Sequence, residues 1–503
     1  MNPKNTKMDG GTEKKNQIKD TYGHLGLPIT LFVTGGVIMM LELLGTRIVA
    51  PYYGTTLYVW SSLITVTLVF LSLGYFLGGR IIDKKPRTDI LYLVIFCAGL
   101  SVIFIPAITS PVMAASNPLG PRLGSLTSAF VLFSLPMTLL GMVMPSAIKL
   151  GTEHLEDVGM TSGVLISVST LGSFVGTVCT GFFLIPSLGV SKIVYLIAFL
   201  LFGVSGIWFM ARKMYRGLVG IAIIFSLLYF YSPQTSSNPD LNIAYSTEST
   251  YGQIMVVDEG NARYLLFDGA TQSEYDMLRK EFTFPYLRLM EKSIGYHPNP
   301  KTALSLGLGA GGIEQKFRGH GIDVDSVEID PKVVDVAKNY FDFEGGVIVD
   351  DGRHYVRYTD KKYDIIVLDT YGGYSTVPHL LTKEAFTEMK GVLNENGILT
   401  INVMGFENGH LSTEDEMVKA ICRTLEEVFP HVYVKTTGYG FTSMVFYASD
   451  QPLELDWQFV SIEVVPDENT PILTDDYNPV EIMGIPSAEK FREDIMERFG
   501  NVP

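Results

Sequence analysis

Cysteine is scarce in this 503-residue chain: Cys97, Cys179 and Cys422 are the only three. So few thiols exclude a disulfide framework, and with the first two inside apolar runs a zinc site is not expected either. All three read as small buried hydrophobes, and no metal is expected. Basic charge is also in short supply, 38 Lys and Arg against 53 Asp and Glu, which leaves a net charge of −15. That balance argues against nucleic acid as a partner and is compatible with a cationic substrate. Polar residues are under-represented as well, since 47% of the chain is hydrophobic, too much for an ordinary soluble protein of this length.

The apolar excess is concentrated between about 27 and 231, in segments long enough to cross a bilayer at roughly 20 residues each. Seven candidate spans are expected, near 27–46, 58–79, 90–113, 125–148, 161–187, 191–211 and 216–232. Residues 1–24 carry Lys4, Lys7, Lys14, Lys15 and Lys19 without an apolar core. They read as a disordered basic tail on the cytoplasmic side and not as a signal peptide. The basic loops at Arg80 to Arg87 and at Arg212, Lys213 and Arg216 agree with that side. Seven crossings would, however, put the C-terminal half outside the cell. The short last segment is the one expected not to cross, which gives an even count and a cytoplasmic catalytic half. Glu42 and Arg47 flank Leu-Leu-Gly-Thr in the first span and either pair, snorkel or serve a function. Gly141, Gly163, Gly172 and Gly176 are expected to permit close helix packing.

After the polar linker 232–239 the pattern changes. Strands are expected near 243–249, 253–258 and 263–268, with Glu-Gly-Asn at a turn, then a helix over about 277–291. This is a small antiparallel sheet with a helical cap, 240–295. The stretch Thr302-Ala-Leu-Ser-Leu-Gly-Leu-Gly-Ala-Gly-Gly312, followed by Val327-Glu-Ile-Asp330, then reads as strand, glycine turn, helix and strand ending in an acid. Gly307, Gly309, Gly311 and Gly312 allow a tight turn beneath a ligand, and Glu328, about 20 residues on, stands where it can accept both hydroxyls of a ribose. Asp351, ending the third strand, could accept the exocyclic amine of adenine. Asp369 ends the fourth, at the edge where open α/β sheets bind ligands. A helix at 382–393, a strand at 397–404, a helix at 413–428 and two closing strands near 431–436 and 441–448 complete a doubly wound, Rossmann-like domain over 296–503, of the class I methyltransferase type.

These residues resemble the spermidine synthase family, the polyamine aminopropyltransferases, and more closely their membrane-fused relatives. The resemblance runs through Glu42-Leu-Leu-Gly-Thr-Arg47, Ala50-Pro-Tyr-Tyr-Gly54, Leu73-Gly-Tyr-Phe-Leu-Gly-Gly-Arg80, Phe267-Asp-Gly-Ala-Thr-Gln272, Val327-Glu-Ile-Asp330, Asp351-Gly-Arg353 and Leu473-Thr-Asp-Asp-Tyr-Asn-Pro-Val480. It implies a multi-pass membrane enzyme that moves an aminopropyl group from decarboxylated S-adenosylmethionine to a putrescine-like amine. Gln253, Gln272, Asp330 and Gly352 then join the cosubstrate pocket. Asp369 stands beside the attacking amine, and Tyr371, Tyr374, Asp475 and Asp476 line the acceptor. The bilayer and a small-molecule or membrane-associated amine are the implied partners, and a homodimer is left open. The chain departs from the family pattern where Ala310 and Gly372 replace aspartates, and the Tyr-His-Glu segment expected after Gln272 is unrecognisable in 275–282. A methyltransferase using ordinary S-adenosylmethionine is therefore the alternative. A transporter with a nucleotide-sensing domain is the rival from another class, against which stand the lack of a clear internal repeat and the few mid-membrane charges.

Overall fold

A computed structural model describes residues 10–53, 57–152, 154–212, 241–408, 412–456 and 458–499. The chain divides into two compact units, 1–49 with 58–234 and 50–57 with 235–503.

The first unit is helical. Its helices are α1 (Gly10–Tyr53), α2 (Leu57–Lys84), α3 (Thr88–Ile103), α4 (Ile105–Ser116), α5 (Gly120–Gly141), α6 (Val143–Gly151), α7 (Val158–Val178) and α8 (Val190–Ala211). Five described helices are long and apolar enough to cross a membrane, and a sixth span forms if α3 and the α4 segment, bent by 56°, count as one. Pro106 sits at the start of α4 and cannot supply the N–H that would continue α3, which accounts for the bend. The expected span at 216–232 lies outside the described residues. The basic stretch expected to be disordered is a helix from Gly10, continuous with the apolar part of α1. No proline interrupts 10–27, so the first span propagates backward through Glu, Lys and Gln. Tight helix contact is built at Gly172 and Gly176, where an added Cβ would stand 1.9 Å from the Phe32 carbonyl oxygen and 2.6 Å from that of Gly36. Gly141 is equally close to α2, but Gly163 meets nothing within 4 Å and has no such role among the described residues.

The second unit opens with an antiparallel sheet of β1 (Leu241–Glu248), β2 (Gln253–Glu259), β3 (Ala262–Phe267), β4 (Ala270–Asp276) and β5 (Glu281–Phe282), paired in chain order. The two-residue turn Asp268-Gly269, both at positive φ, returns β3 into β4. The helix expected over 277–291 is displaced: α9 runs Pro285–Tyr296. Pro285 holds a φ suited to a first helical turn and biases Phe284 to an extended conformation, so the residues before it stay in the sheet.

The larger sheet contains β6 (Thr302–Leu306), β7 (Asp323–Glu328), β8 (Val347–Val349), β9 (Tyr363–Leu368), β12 (Leu393–Glu407), β13 (His431–Thr436), β14 (Gly440–Ser449) and β15 (Val460–Ser461); the two-stranded hairpin β10 (Tyr371–Gly372) and β11 (Ser375–Thr376) stands apart from it. Among the described residues its order is β15-β13-β14-β12-β9-β6-β7-β8. Strands β8, β7, β6, β9 and β12 run parallel, and β14 and β13 close the sheet antiparallel. The connecting helices are α10 (Gly312–Gly319), α11 (Pro331–Tyr340), α12 (Gly352–Tyr358), α13 (Lys383–Gly391) and α14 (Glu416–Glu426), followed by α15 (Ile485–Phe499). Strand order reverses at β6, between β7 and β9, which opens a crevice at the carboxyl ends of these strands. One buried cluster joins Ile254 and Val256 of the small sheet to Ala303 and Val445 of the large one, so the two sheets share a core.

Candidate active site

The crevice is a cavity of about 590 Å³ lined entirely from the second unit. Its floor is the turn after β6. Gly307 has φ +94°, and an added Cβ would lie 2.3 Å from the Asp369 carbonyl oxygen, so only glycine fits. Gly311, at φ +95°, is the N-cap of α10 and packs on Phe343. It does not line the cavity, whereas Gly307, Gly309 and Gly312 do.

Three acids line one end of the cavity, Glu328, Asp330 and Asp351. Glu328 accepts the Leu308 N–H at 3.0 Å on one oxygen and the Asp330 N–H at 3.0 Å on the other. Glu328 lines the cavity, and a carboxylate there can accept from a pair of vicinal hydroxyls. Burial pushes the Glu328 carboxyl above its usual range, against the pull of those N–H groups. Asp330 caps α11 by accepting the Lys332 N–H and also lines the cavity. Asp351 caps α12 through the Arg353 and His354 N–H groups and meets the His379 ring at 3.0 Å. Burial opposes its ionisation, but the His354 N–H and the His379 ring outweigh it and hold the carboxyl below the usual range. Tyr251 faces all three: burial, then Asp330, Asp351 and Glu328, push its phenol upward.

Asp369 lies at the other end. Its Oδ2 accepts from the Tyr286 hydroxyl at 2.9 Å and its Oδ1 from Asn402 Nδ2 at 3.0 Å. Burial raises its pKa, while those two hydrogen bonds lower it, and burial prevails. Tyr371 hangs over the same region, its hydroxyl accepting the Met404 N–H at 2.7 Å. Gln272 donates from Nε2 to the Gly373 carbonyl at 3.2 Å, tying β4 to the hairpin that follows Asp369. Ala310 is fully buried, its N–H donating to Ser273 Oγ at 3.2 Å.

Several sequence-predicted positions fall elsewhere. Asp475 lies outside the lining and pairs bidentately with Arg353 at 2.7 Å while accepting from Thr382, a structural use of its charge. Asp476 is exposed and outside the lining too. Tyr374 is buried edge-on against Phe491. Gln253 is absent from the lining, although its Oε1 is buried with no hydrogen-bond partner among the described residues. Gly352, Gln272 and Tyr371 do line the cavity. Sequence reasoning missed Tyr251, Tyr286, Asn402, His379 and Phe491. Asn402 had a signal, a lone amide in the apolar run Ile401-Asn402-Val403, and Phe491 another, the helical spacing of Phe491, Ile495 and Phe499. Among the described residues no group of three or more His, Cys, Asp or Glu side chains is arranged to hold a metal.

The spermine/spermidine synthase domain family matches residues 287–452. The chain is 32% identical over 178 residues to a polyamine aminopropyltransferase of Vibrio vulnificus, covering 32% of this chain and 58% of that protein. It is 26% identical over 328 residues to a probable polyamine aminopropyl transferase of Bifidobacterium longum, covering 57% of this chain and 73% of that protein. The crystal structure of a probable spermidine synthase from Corynebacterium glutamicum superposes with a TM-score of 0.40 at 18% identity, over 46% of this chain and 97% of that one.

Proposed function

We propose, from the match of residues 287–452 to the spermine/spermidine synthase domain family, that the protein is a transferase moving an aminopropyl group from decarboxylated S-adenosylmethionine to an amine. Glu328, with Asp330 behind it, would hold the ribose, and Asp351 the adenine amine. The reaction is a displacement at the carbon next to the sulfonium. The amine lone pair forms the C–N bond, the C–S bond breaks toward sulfur to release methylthioadenosine, and the proton leaves the new ammonium. Alignment and proton removal are all that the protein must supply.

The observation that carries this reading is Asp369, a carboxylate whose pKa burial raises, held at both oxygens by Tyr286 and Asn402 in the cavity that Glu328 also lines. A carboxylate raised above its usual pKa is a better proton acceptor than an ordinary one. A second reading, methyl transfer from ordinary S-adenosylmethionine, is favoured by Ala310 and Gly372, because apolar groups there would not repel a cosubstrate carboxylate. The test is the mass gained by an amine incubated with the purified full-length protein and each cosubstrate in turn. We further propose that the apolar helices anchor the enzyme in the cell membrane with its catalytic domain in the cytoplasm, where the cosubstrate is made.

A further inference from the structure

None of Ala50 to Tyr53 lines the cavity, yet residues 50–57 count with the second unit, far in sequence from the rest of it. Tyr53 is buried, and the Arg492 guanidinium of α15 lies 4.8 Å from its ring centroid, a cation–π contact. Burial lowers the Arg492 pKa, and among the groups that oppose this Tyr53 and Tyr374 come before Glu489 and Glu493, so the charge faces two tyrosines. Tyr374 stands in the turn of the β10–β11 hairpin, and α15 meets it one residue earlier. Phe491 lies edge-on to Tyr374, with 5.7 Å between ring centroids, and lines the cavity. An added Cβ at Gly269 would stand 3.1 Å from the Pro51 carbonyl oxygen and 3.2 Å from the Tyr374 hydroxyl. The 50–53 segment, the β3–β4 turn and the turn of the hairpin therefore meet at one point.

That junction backs the wall beside Asp369. Tyr371 and Gly372 of the hairpin line the cavity with Asp369 and Thr370. The charges that act on Tyr371 are Asp369 and Asp415, and Ser487 of α15 donates to Asp415 Oδ2 at 2.9 Å. Helix α15 is thus tied near its start by Ser487 and at its end by Phe499, which packs on Tyr264. In its middle, where Phe491 reaches the cavity, its aromatic and cation–π contacts are with Tyr374, Phe441 and Tyr53.

We propose that Tyr53 and Arg492 are positioning residues for the transfer: their contact seats the middle of α15 so that Phe491 and the β10–β11 hairpin keep the amine aligned on Asp369. Residues 50–53 are then part of the working active site although none of them touches substrate. The inference rests on the aminopropyl-transfer reading above and concerns alignment, not which amine is taken.

The test uses the full-length protein in lipid nanodiscs with decarboxylated S-adenosylmethionine and 1,4-diaminobutane. Tyr53→Leu removes the ring face and should lower kcat about tenfold. Its calorimetric affinity for methylthioadenosine should stay unchanged, because Glu328 and Asp351 hold the nucleoside at the other end. Tyr53→Phe keeps the ring face and should keep the wild-type kcat. Arg492→Lys keeps the cation and should recover most of what Arg492→Met loses. Combining Tyr53→Leu with Arg492→Met should cost no more than the worse single change, since both remove one contact. Wild-type kcat in Tyr53→Leu, losses that multiply in the double variant, or a fall in nucleoside affinity matching the fall in kcat overturns this inference alone. If Tyr53→Leu does not fold, the Arg492 pair decides, and equal kcat in Arg492→Lys and Arg492→Met overturns it. Absence of transfer by the wild type overturns the aminopropyl reading and this inference with it.

Discussion

Asp369 and its two donors set a pH dependence whose direction follows from the geometry. Burial holds the carboxyl above its ordinary range, so the deprotonated base, and with it the rate, should appear on a limb that rises at higher pH than a solvated aspartate would give. The Tyr286 hydroxyl stabilises the ionised form and lowers that pKa. Tyr286→Phe is therefore expected to move the limb further upward, and a pH profile of kcat with saturating cosubstrate measures it. Asp369→Asn should reduce kcat by roughly 10²–10⁴-fold while cosubstrate binding is largely kept. Glu328→Ala should weaken cosubstrate binding by roughly 1.5–3 kcal/mol through lost ribose hydrogen bonds, and unchanged affinity in calorimetry would refute that role. The acids at Glu328, Asp351 and Asp369 were legible because each ends a strand, where the pattern of an apolar run stopping at a charge is visible in one dimension. Tyr286 and Tyr251 were not, because α9 and the β1–β2 turn reach the cavity only through tertiary packing.

At the scale of elements, the β6 turn is the part most intolerant of change. Gly307→Ala would place a Cβ 2.3 Å from the Asp369 carbonyl oxygen at φ +94°. It is expected to cost at least ~1–2 kcal/mol in stability or binding, detectable as a lowered Tm or a weakened cosubstrate affinity. Helix α10, which follows, carries a different strain. Glu314 in its first turn is 1% exposed and accepts from Ser326, while burial pushes its pKa up to about 8. With an unfolded value of about 4.3, its contribution to stability is full in acid, where both states bind the proton, and is lost as pH rises from there toward 8. Glu314→Gln removes that titration, so the stability lost between pH 5 and pH 9 should be smaller than in wild type by on the order of a few kcal/mol. Equal losses in thermal melts of the two proteins would contradict the assignment. The large sheet was readable as elements, its strand and helix runs falling near their expected places. The small sheet is longer than the expected three strands: the Asp268-Gly269 hairpin signal adds β4, and Pro285 sets the start of α9 later than the expected 277. Helix α15 went unread although its apolar spacing was there to see.

On the scale of the whole molecule, the sequence divides near residue 232 into a strongly apolar half and a half of ordinary composition, the contrast that a bilayer and water would impose. Five apolar helices, or six with the bent pair, are consistent with a membrane protein. We expect an even number of crossings that leaves Pro503 on the cytoplasmic side with Met1. Cysteine labelling that reaches the C-terminus from outside intact cells would refute this. The reaction itself is the central claim. The most direct measurement is mass spectrometry of an amine and of the released nucleoside after incubation of the full-length protein with decarboxylated or ordinary S-adenosylmethionine. The account predicts an aminopropylated amine and methylthioadenosine from the decarboxylated compound; a methylated product with S-adenosylhomocysteine from the ordinary one, and no aminopropyl transfer, would contradict it.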